Sequence, residues 1–392
     1  MMTNAAHLSN VEVKPNPKPQ EPTELTIAYG RSAAPKLVRC IQGAGSDAAG
    51  STESVLRLKA VEQSLELMHG AQDLACLLQA GIIPALNSAA SKDPDEKIRV
   101  AALNAIGRLS RERTGRESML ESASCDALLA AAADPVAAVR LACLTVVQQF
   151  ASYNEGAKAL VEASFVELLL ARCKGTPDGG PPIPEVQAIA VTGLGRVCQT
   201  EEGCKEAIRL EAVPTALAML MSDAGTAVQY QSAFCLAVLT YEQAEKRVAL
   251  DANVMPKLVY MLGAGADKAD EAMRLKLRTA AAALLMSMAN GTRDAETGEN
   301  ACKPAAVEAG ACKVLVPLMR EALEMQRAGE LTAENSELAV YVAKCMASLA
   351  DSPKGRKQLK VVLPELTALT SSSESTLGKH ASIAIERITW EP

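Results

Sequence analysis

Ala80-Gly81-Ile82-Ile83-Pro84-Ala85-Leu86 is a short phrase whose recurrence decides the fold. Its echoes are Ala33-Ala34-Pro35-Lys36-Leu37, Ser124-Cys125-Asp126-Ala127-Leu128, Phe165-Val166-Glu167-Leu168-Leu169, Val213-Pro214-Thr215-Ala216-Leu217, Val254-Met255-Pro256-Lys257-Leu258, Ala311-Cys312-Lys313-Val314-Leu315 and Val362-Leu363-Pro364-Glu365-Leu366. The closing leucines follow one another at 49, 42, 41, 48, 41, 57 and 51 residues. A floor of 41 or 42 with longer exceptions is the period of stacked helical repeats. Three of the long intervals contain stretches that read as inserted loops, at Gly43 to Gly50, Gly175 to Pro182 and from Asn290 onward, because Gly and Pro do not extend a helix cheaply.

A second register supports the first. About a dozen residues past most of the leucines, an apolar helix begins with a polar residue at its second position, as in Leu56-Arg57-Leu58, Ile98-Arg99-Val100, Val139-Arg140-Leu141, Val186-Gln187-Ala188, Val228-Gln229-Tyr230 and Leu277-Arg278-Thr279. Helical spacing then continues, for example through Val100, Leu103, Ile106 and Leu109. A third signature, glycine followed by polar or basic residues, opens the next unit at Gly115-Arg116, Gly156-Ala157-Lys158, Gly203-Cys204-Lys205 and Gly355-Arg356-Lys357. Three helix starts per unit favour armadillo repeats over two-helix HEAT repeats. No single unit can bury its apolar face alone, so the units must stack. The expectation is an all-α, right-handed armadillo superhelix (an α-solenoid) of about eight repeats over residues 25–392. Ahead of it, residues 1–24 carry Pro15, Pro17, Pro19 and Pro22 among polar residues and read as a disordered arm.

Composition narrows the function classes. Phe, Tyr and Trp amount to 3% of a chain that is 49% apolar, so the core must be built from Ala, Leu, Val, Ile and Met, which suits close helix packing. A net charge of −6 without any long basic run argues against a nucleic acid partner. Met1 to Asn10 lacks the pattern of a secretory signal, and the longest apolar run, Ala280 to Ala289, is too short to span a bilayer, so no membrane association is expected. The 11 cysteines form no Cys-x-x-Cys pair and have no histidine at ligand spacing. They read as small buried hydrophobes in a reducing, cytoplasmic compartment.

Signs of chemistry are sparse. None of His7, His69 and His380 neighbours a nucleophile by pattern, no phosphate-binding loop occurs, and Gly193-Leu194-Gly195 falls inside a helix. The reading assigns no catalytic residue, no metal and no cofactor. The candidate binding residues are the polar positions that open the third helices: Arg57, Arg99, Arg140, Gln187, Gln229, Arg278 and Lys379. In armadillo proteins this helix lines the concave groove, so the row could grip an extended acidic segment of a partner. Alternatively each member could bond carbonyls or acids of the adjacent repeat. Trp390, the single tryptophan, is expected to close the last hydrophobic layer.

Several segments resemble one family. They are Ala28-Tyr29-Gly30-Arg31-Ser32-Ala33-Ala34-Pro35-Lys36-Leu37, Leu67-Met68-His69, Gly115-Arg116 with Met119-Leu120-Glu121, Pro353-Lys354-Gly355-Arg356-Lys357-Gln358-Leu359, and Ile383-Ala384-Ile385-Glu386-Arg387-Ile388. In this order they are similar to the armadillo-repeat radial spoke proteins of motile cilia and flagella. That resemblance implies a non-enzymatic scaffold linking doublet microtubule to central pair, needed for motility, with other radial spoke subunits as partners. It also implies residence in the axoneme, a cytoskeletal assembly of the cilium or flagellum. The competing class is a soluble cytoplasmic armadillo adaptor that binds extended peptide segments.

Overall fold

The computed structural model describes residues 33–43, 51–175, 180–263, 265, 269–291, 300–372 and 375–391, and every regular element among them is helical. The arm at 1–24, residues 25–32 and, within the inserts, 44–50, 176–179 and 292–299 lie outside the described residues. Two compact units divide between Ala105 and Ile106.

The first unit opens with a pair, α1 (Ala33–Ile41) and α2 (Thr52–Leu67), followed by the triplet α3 (Ala71–Gln79), α4 (Ile82–Lys92) and α5 (Glu96–Ser110), the last running through the division. The second unit holds six triplets. They are α6 (Arg113–Glu121), α7 (Ser124–Ala132), α8 (Ala137–Phe150); α9 (Asn154–Glu162), α10 (Phe165–Lys174), α11 (Pro184–Val197); and α12 (Glu201–Arg209), α13 (Ala212–Met221), α14 (Thr226–Leu239). The remaining three are α15 (Gln243–Asp251), α16 (Val254–Leu262), α17 (Glu271–Ala289); α18 (Cys302–Glu308), α19 (Ala311–Ala328), α20 (Ala333–Leu349); and α21 (Pro353–Leu359), α22 (Leu363–Leu369), α23 (Ser375–Thr389). Short first helix, second helix and long third helix thus recur seven times after the opening pair, as the three sequence signatures require.

Seven of the eight phrase leucines lie on second helices and Leu37 on α1, and all are buried, none more than 4% exposed. In six of the seven triplets the second helix is entered through one residue in the left-handed region, Gly81, Ala123, Ser164, Glu211, Asn253 and Gly310, with φ between 49° and 94°, whereas α22 follows Val362 at φ −99°. That single turn swings the chain from first to second helix. Only two of the six positions use glycine, although the Cβ of other residues meets the following carbonyl there.

The joint from third helix to next first helix is tighter. Gly115, Gly156, Gly203 and Gly355 each occupy the third position of a first helix. A Cβ on them would stand 2.1, 2.2, 2.3 and 2.3 Å from the carbonyl oxygens of Leu109, Phe150, Val197 and Leu349. Since these carbonyls belong to the last turn of the preceding third helix, glycine is what lets the two helices meet at that angle. Where the chain has Glu245 or Pro304 instead, the joint is built differently, and Lys246 reaches Asn290 O at 2.6 Å.

Two of the long leucine intervals owe their excess partly to helix. α17 has 19 residues against 14 in α8, α11 and α14, and α19 has 18 against 9 or 10 in its counterparts α7, α10 and α13. The interval ending at Leu366 is therefore lengthened inside α19, a feature that insert-seeking on Gly and Pro does not reveal.

Replacing Gly203 by Ala should lower stability by about 3 kcal/mol or more, since backbone rather than a flexible side chain must move. Glu211→Gly should raise it by about 0.5–1 kcal/mol through relief of the left-handed strain. Urea unfolding of both variants beside the parent reads the two signs; equal midpoints for all three would contradict this account of the joints.

Candidate functional site

In the first unit, Arg57 on α2 and Arg99 on α5 converge on one turn. Arg57 is 2% exposed and its Nε lies 3.0 Å from Asp93 Oδ2. The Asp95 N–H donates to Asp93 Oδ1 (2.9 Å), and Ser54 Oγ donates to Asp95 Oδ2 (2.6 Å). Arg99 Nη1 donates to the carbonyls of Asp93 (2.8 Å) and Pro94 (3.2 Å). Both arginines are buried, and together they fasten the turn between α4 and α5.

In the second unit the same device returns at Arg140, whose Nη1 donates to the carbonyls of Asp134 (2.7 Å) and Pro135 (2.8 Å), while Val136 N–H donates to Asp134 Oδ1 (2.8 Å). Gln187 Nε2 donates to Cys173 O and Gln229 Nε2 to Ser222 O, each at 2.8 Å. Arg278 Nη1 lies 3.2 Å from Glu321 Oε2, one repeat on. Lys379 on α23 is exposed. Four of the seven candidates, Arg99, Arg140, Gln187 and Gln229, sit at the fourth position of their helix rather than the second, because the helices begin two residues earlier than the apolar pattern shows. From that position a side chain reaches back over the first turn to the carbonyls that the second helix and its exit leave unpaired. The structure thus gives each of these four a neighbouring carbonyl within its own repeat and does not bring the seven together into a cluster.

Further along the third helices of the second unit lies a group that the sequence reading missed. Tyr230 and Phe234 on α14 meet edge to face, with ring centroids 6.5 Å apart. Lys276 Nζ on α17 stands 6.0 Å from the Tyr230 ring, and Lys344 Nζ on α20 stands 5.5 Å from the ring of Tyr341. On α11, Arg196 Nη1 donates to Gln148 O of α8 (2.6 Å), and burial lowers its pKa. On α23, burial, with Lys344 and Lys379 nearby, lowers the pKa of His380, which favours the neutral ring. Successive third helices therefore carry half-buried aromatic rings interleaved with lysines and an arginine. The signal was available in Tyr230 and Tyr341, which are scarce residue types standing on a helix face that the core does not use.

Other features offer little reactivity. Among the described residues, no group of three or more His, Cys, Asp and Glu could hold a metal ion. All 11 cysteines are free thiols, and burial pushes Cys143 and Cys173 up to about 12, far from the thiolate form at neutral pH. Trp390 departs from expectation. It does not close a hydrophobic layer: it is 54% exposed, with Arg356 over its ring at 4.7 Å. No described helix is by itself long and apolar enough to cross a membrane.

The repeated triplets define an armadillo-repeat fold, and solved structures agree. An engineered protein superposes with a TM-score of 0.69 at 21% identity, covering 92% of this chain and 79% of its own. A designed armadillo repeat protein in complex with the peptide (KR)4 superposes with a TM-score of 0.51 at 20% identity, covering 67% of this chain and 98% of its own. No family model matches the sequence. Among curated proteins the chain is similar to Radial spoke protein 14 of Chlamydomonas reinhardtii, 27% identical over 131 residues. That stretch is 33% of this chain and about a third (32%) of the relative's length. Fold and relative together describe a repeat scaffold.

Arg57→Ala should cost about 3–5 kcal/mol, because it leaves Asp93 buried without its cation. Arg140→Ala, whose bonds are half-exposed, should cost only about 1 kcal/mol. Thermal unfolding of the two variants checks the order; equal losses would contradict the difference in burial.

Proposed function

We propose that this chain is a non-enzymatic structural scaffold of the axonemal radial spoke, linking doublet microtubule and central pair and needed for ciliary or flagellar motility. Its partners are other radial spoke subunits, and it resides in the axoneme. The observation that carries this reading is the 131-residue similarity to Radial spoke protein 14 in a chain built as an armadillo stack. A spoke must transmit force while presenting surface to several neighbours, which stacked repeats supply and a small single-core domain does not.

Within that role, the third-helix face holds a partner's extended acidic segment. Its ladder residues are Arg57 and Arg99 in the first unit, and Arg140, Gln187, Gln229, Arg278 and Lys379 in the second. In the second unit, Lys276, Lys344 and Lys379 add charge beside Tyr230, Phe234 and Tyr341. Aromatic rings flanked by cations favour a ligand that has both carboxylates and apolar side chains. Because four of the seven ladder residues already hold neighbouring carbonyls, the lysines and rings carry most of the grip.

The test uses flagellated cells that lack their own copy and express either the parent chain or the Lys276→Glu, Lys344→Glu double variant. The parent chain should remain with salt-washed, demembranated axonemes and restore beating. The double variant should unfold within about 1 kcal/mol of the parent, since Lys276 is exposed and Lys344 only half-buried. Like charges set against an acidic partner should nevertheless lower its retention roughly tenfold. A parent chain that washes away would favour the soluble adaptor reading, and full retention of the double variant would remove the lysine face from the interface.

A further inference from the structure

A second cleft lies at the other end of the third helices. The ends of α17, α20 and α23 and the starts of α18 and α21 enclose a cleft of about 530 Å³. Three cations, Lys303, Arg356 and Arg387, line it with one carboxylate, Asp351, which pairs with Lys303 and Arg387 while Arg356 is turned to backbone carbonyls. Lys303 Nζ lies 2.5 Å from Asp351 Oδ2, whereas Arg387 Nη1 stands at 3.6 Å from Oδ1 and keeps 59% of its side chain exposed. Arg387 is thus loosely held and positive charge is in excess.

The aromatic wall is rigid. Arg356 Nε and Nη1 donate to the carbonyls of Ala350 (3.0 Å) and Trp390 (2.9 Å), while the guanidinium covers one face of the indole. A sister clamp shows what this device needs. Arg116, at the same place after a joint glycine, stacks on Tyr153 at 3.6 Å, and the Tyr153 hydroxyl donates to Arg111 O (3.3 Å). That clamp is completed by a half-buried tyrosine, so the clamp alone does not call for a large exposed indole. Trp390 keeps 54% of its surface in water although its backbone and one ring face are fixed. A pre-positioned tryptophan between an available arginine and a lysine has the composition that concentrates binding energy at interfaces.

We propose that this cleft docks an acidic segment of a partner protein, with a carboxylate on Arg387 and Lys303 and an adjacent apolar side chain on the free face of Trp390. The excess of cations selects acid, and the indole selects an apolar neighbour for it. Arg356 acts as the positioning residue that holds the ring. Asp351 competes with the incoming carboxylate and offsets only part of the cleft's positive charge. The site stands apart from the lysine and tyrosine face proposed above and does not depend on it.

Trp390 is the chain's single tryptophan, so its fluorescence reports this cleft alone. The full chain is titrated with the blocked peptide acetyl-Glu-Asp-Leu-Glu-Asp-Leu-amide, and in parallel with ATP and with inorganic phosphate. The expected result is a saturable blue shift with the peptide, roughly tenfold weaker in Arg387→Glu and partly recovered in Arg387→Lys. Asp351→Asn, which removes the competing carboxylate, should bind about threefold more tightly or better. Should Arg387→Glu fail to fold, Asp351→Asn decides, and unchanged or weaker binding overturns the proposal. So do the absence of a saturable shift up to about 5 mM peptide, a Kd in the range of unspecific binding, and an affinity that Arg387→Glu leaves intact. A shift with ATP or phosphate but none with the peptide overturns it as well, by making the cleft a small-anion site.

Discussion

The contact on which the second unit depends most is the approach of a first-helix glycine to the last carbonyls of the preceding third helix. With about 2.2 Å between a hypothetical Cβ and a backbone oxygen, no side chain fits at Gly115, Gly156, Gly203 or Gly355. The approach fixes how one triplet is placed on the next, and the burial of the phrase leucines follows from that placement. Polar bonds then span single repeats: Tyr153 to Arg111, Arg196 to Gln148, Lys246 to Asn290 and Arg278 to Glu321 join positions 42 to 48 residues apart. Each is modest alone, and their recurrence at one period distributes the stiffness along the stack.

The same repetition separates structural from recognising residues. At the start of the third helices, Arg99 and Arg140 are occupied by the carbonyls of their own turn, Asp93-Pro94 and Asp134-Pro135. Midway along, the rings of Tyr230, Phe234 and Tyr341 are half-buried beside lysines that remain reachable. At the far end, Trp390 is fixed by Arg356 yet open to water. Third helices therefore hold their own turn near the start and the next first helix at the last turn, and leave half-buried rings and cations between.

The fold was legible because it is periodic: leucines at one interval, a polar residue a dozen positions later and a glycine after that are three independent readings of one triplet. The glycine signature marked boundaries correctly, but its cause, the carbonyl of Leu109 or Phe150 facing it, exists only once the helices pack. The ladder was legible as a pattern and ambiguous in meaning. The pair Asp-Pro lying six residues ahead of both Arg99 and Arg140 was the clue that these arginines have a local acceptor. The length of α19 was hidden because eight or nine extra helical residues look like ordinary amphipathic sequence. Trp390 was misjudged because an isolated aromatic near an apolar helix normally packs inward, whereas the guanidinium of Arg356 supplies a surface on which it stacks outside the core.

Hydrogen exchange followed by mass spectrometry on the Gly156→Ala chain tests most directly the claim that the glycine joints set the stack. If they do, amides of α8, α9 and α10 should lose protection by roughly tenfold or more while those of α20 and α23 stay at the parent's level, because coupling passes only between neighbours. Unchanged exchange in α8 to α10, or an equal loss throughout the second unit, would contradict the account.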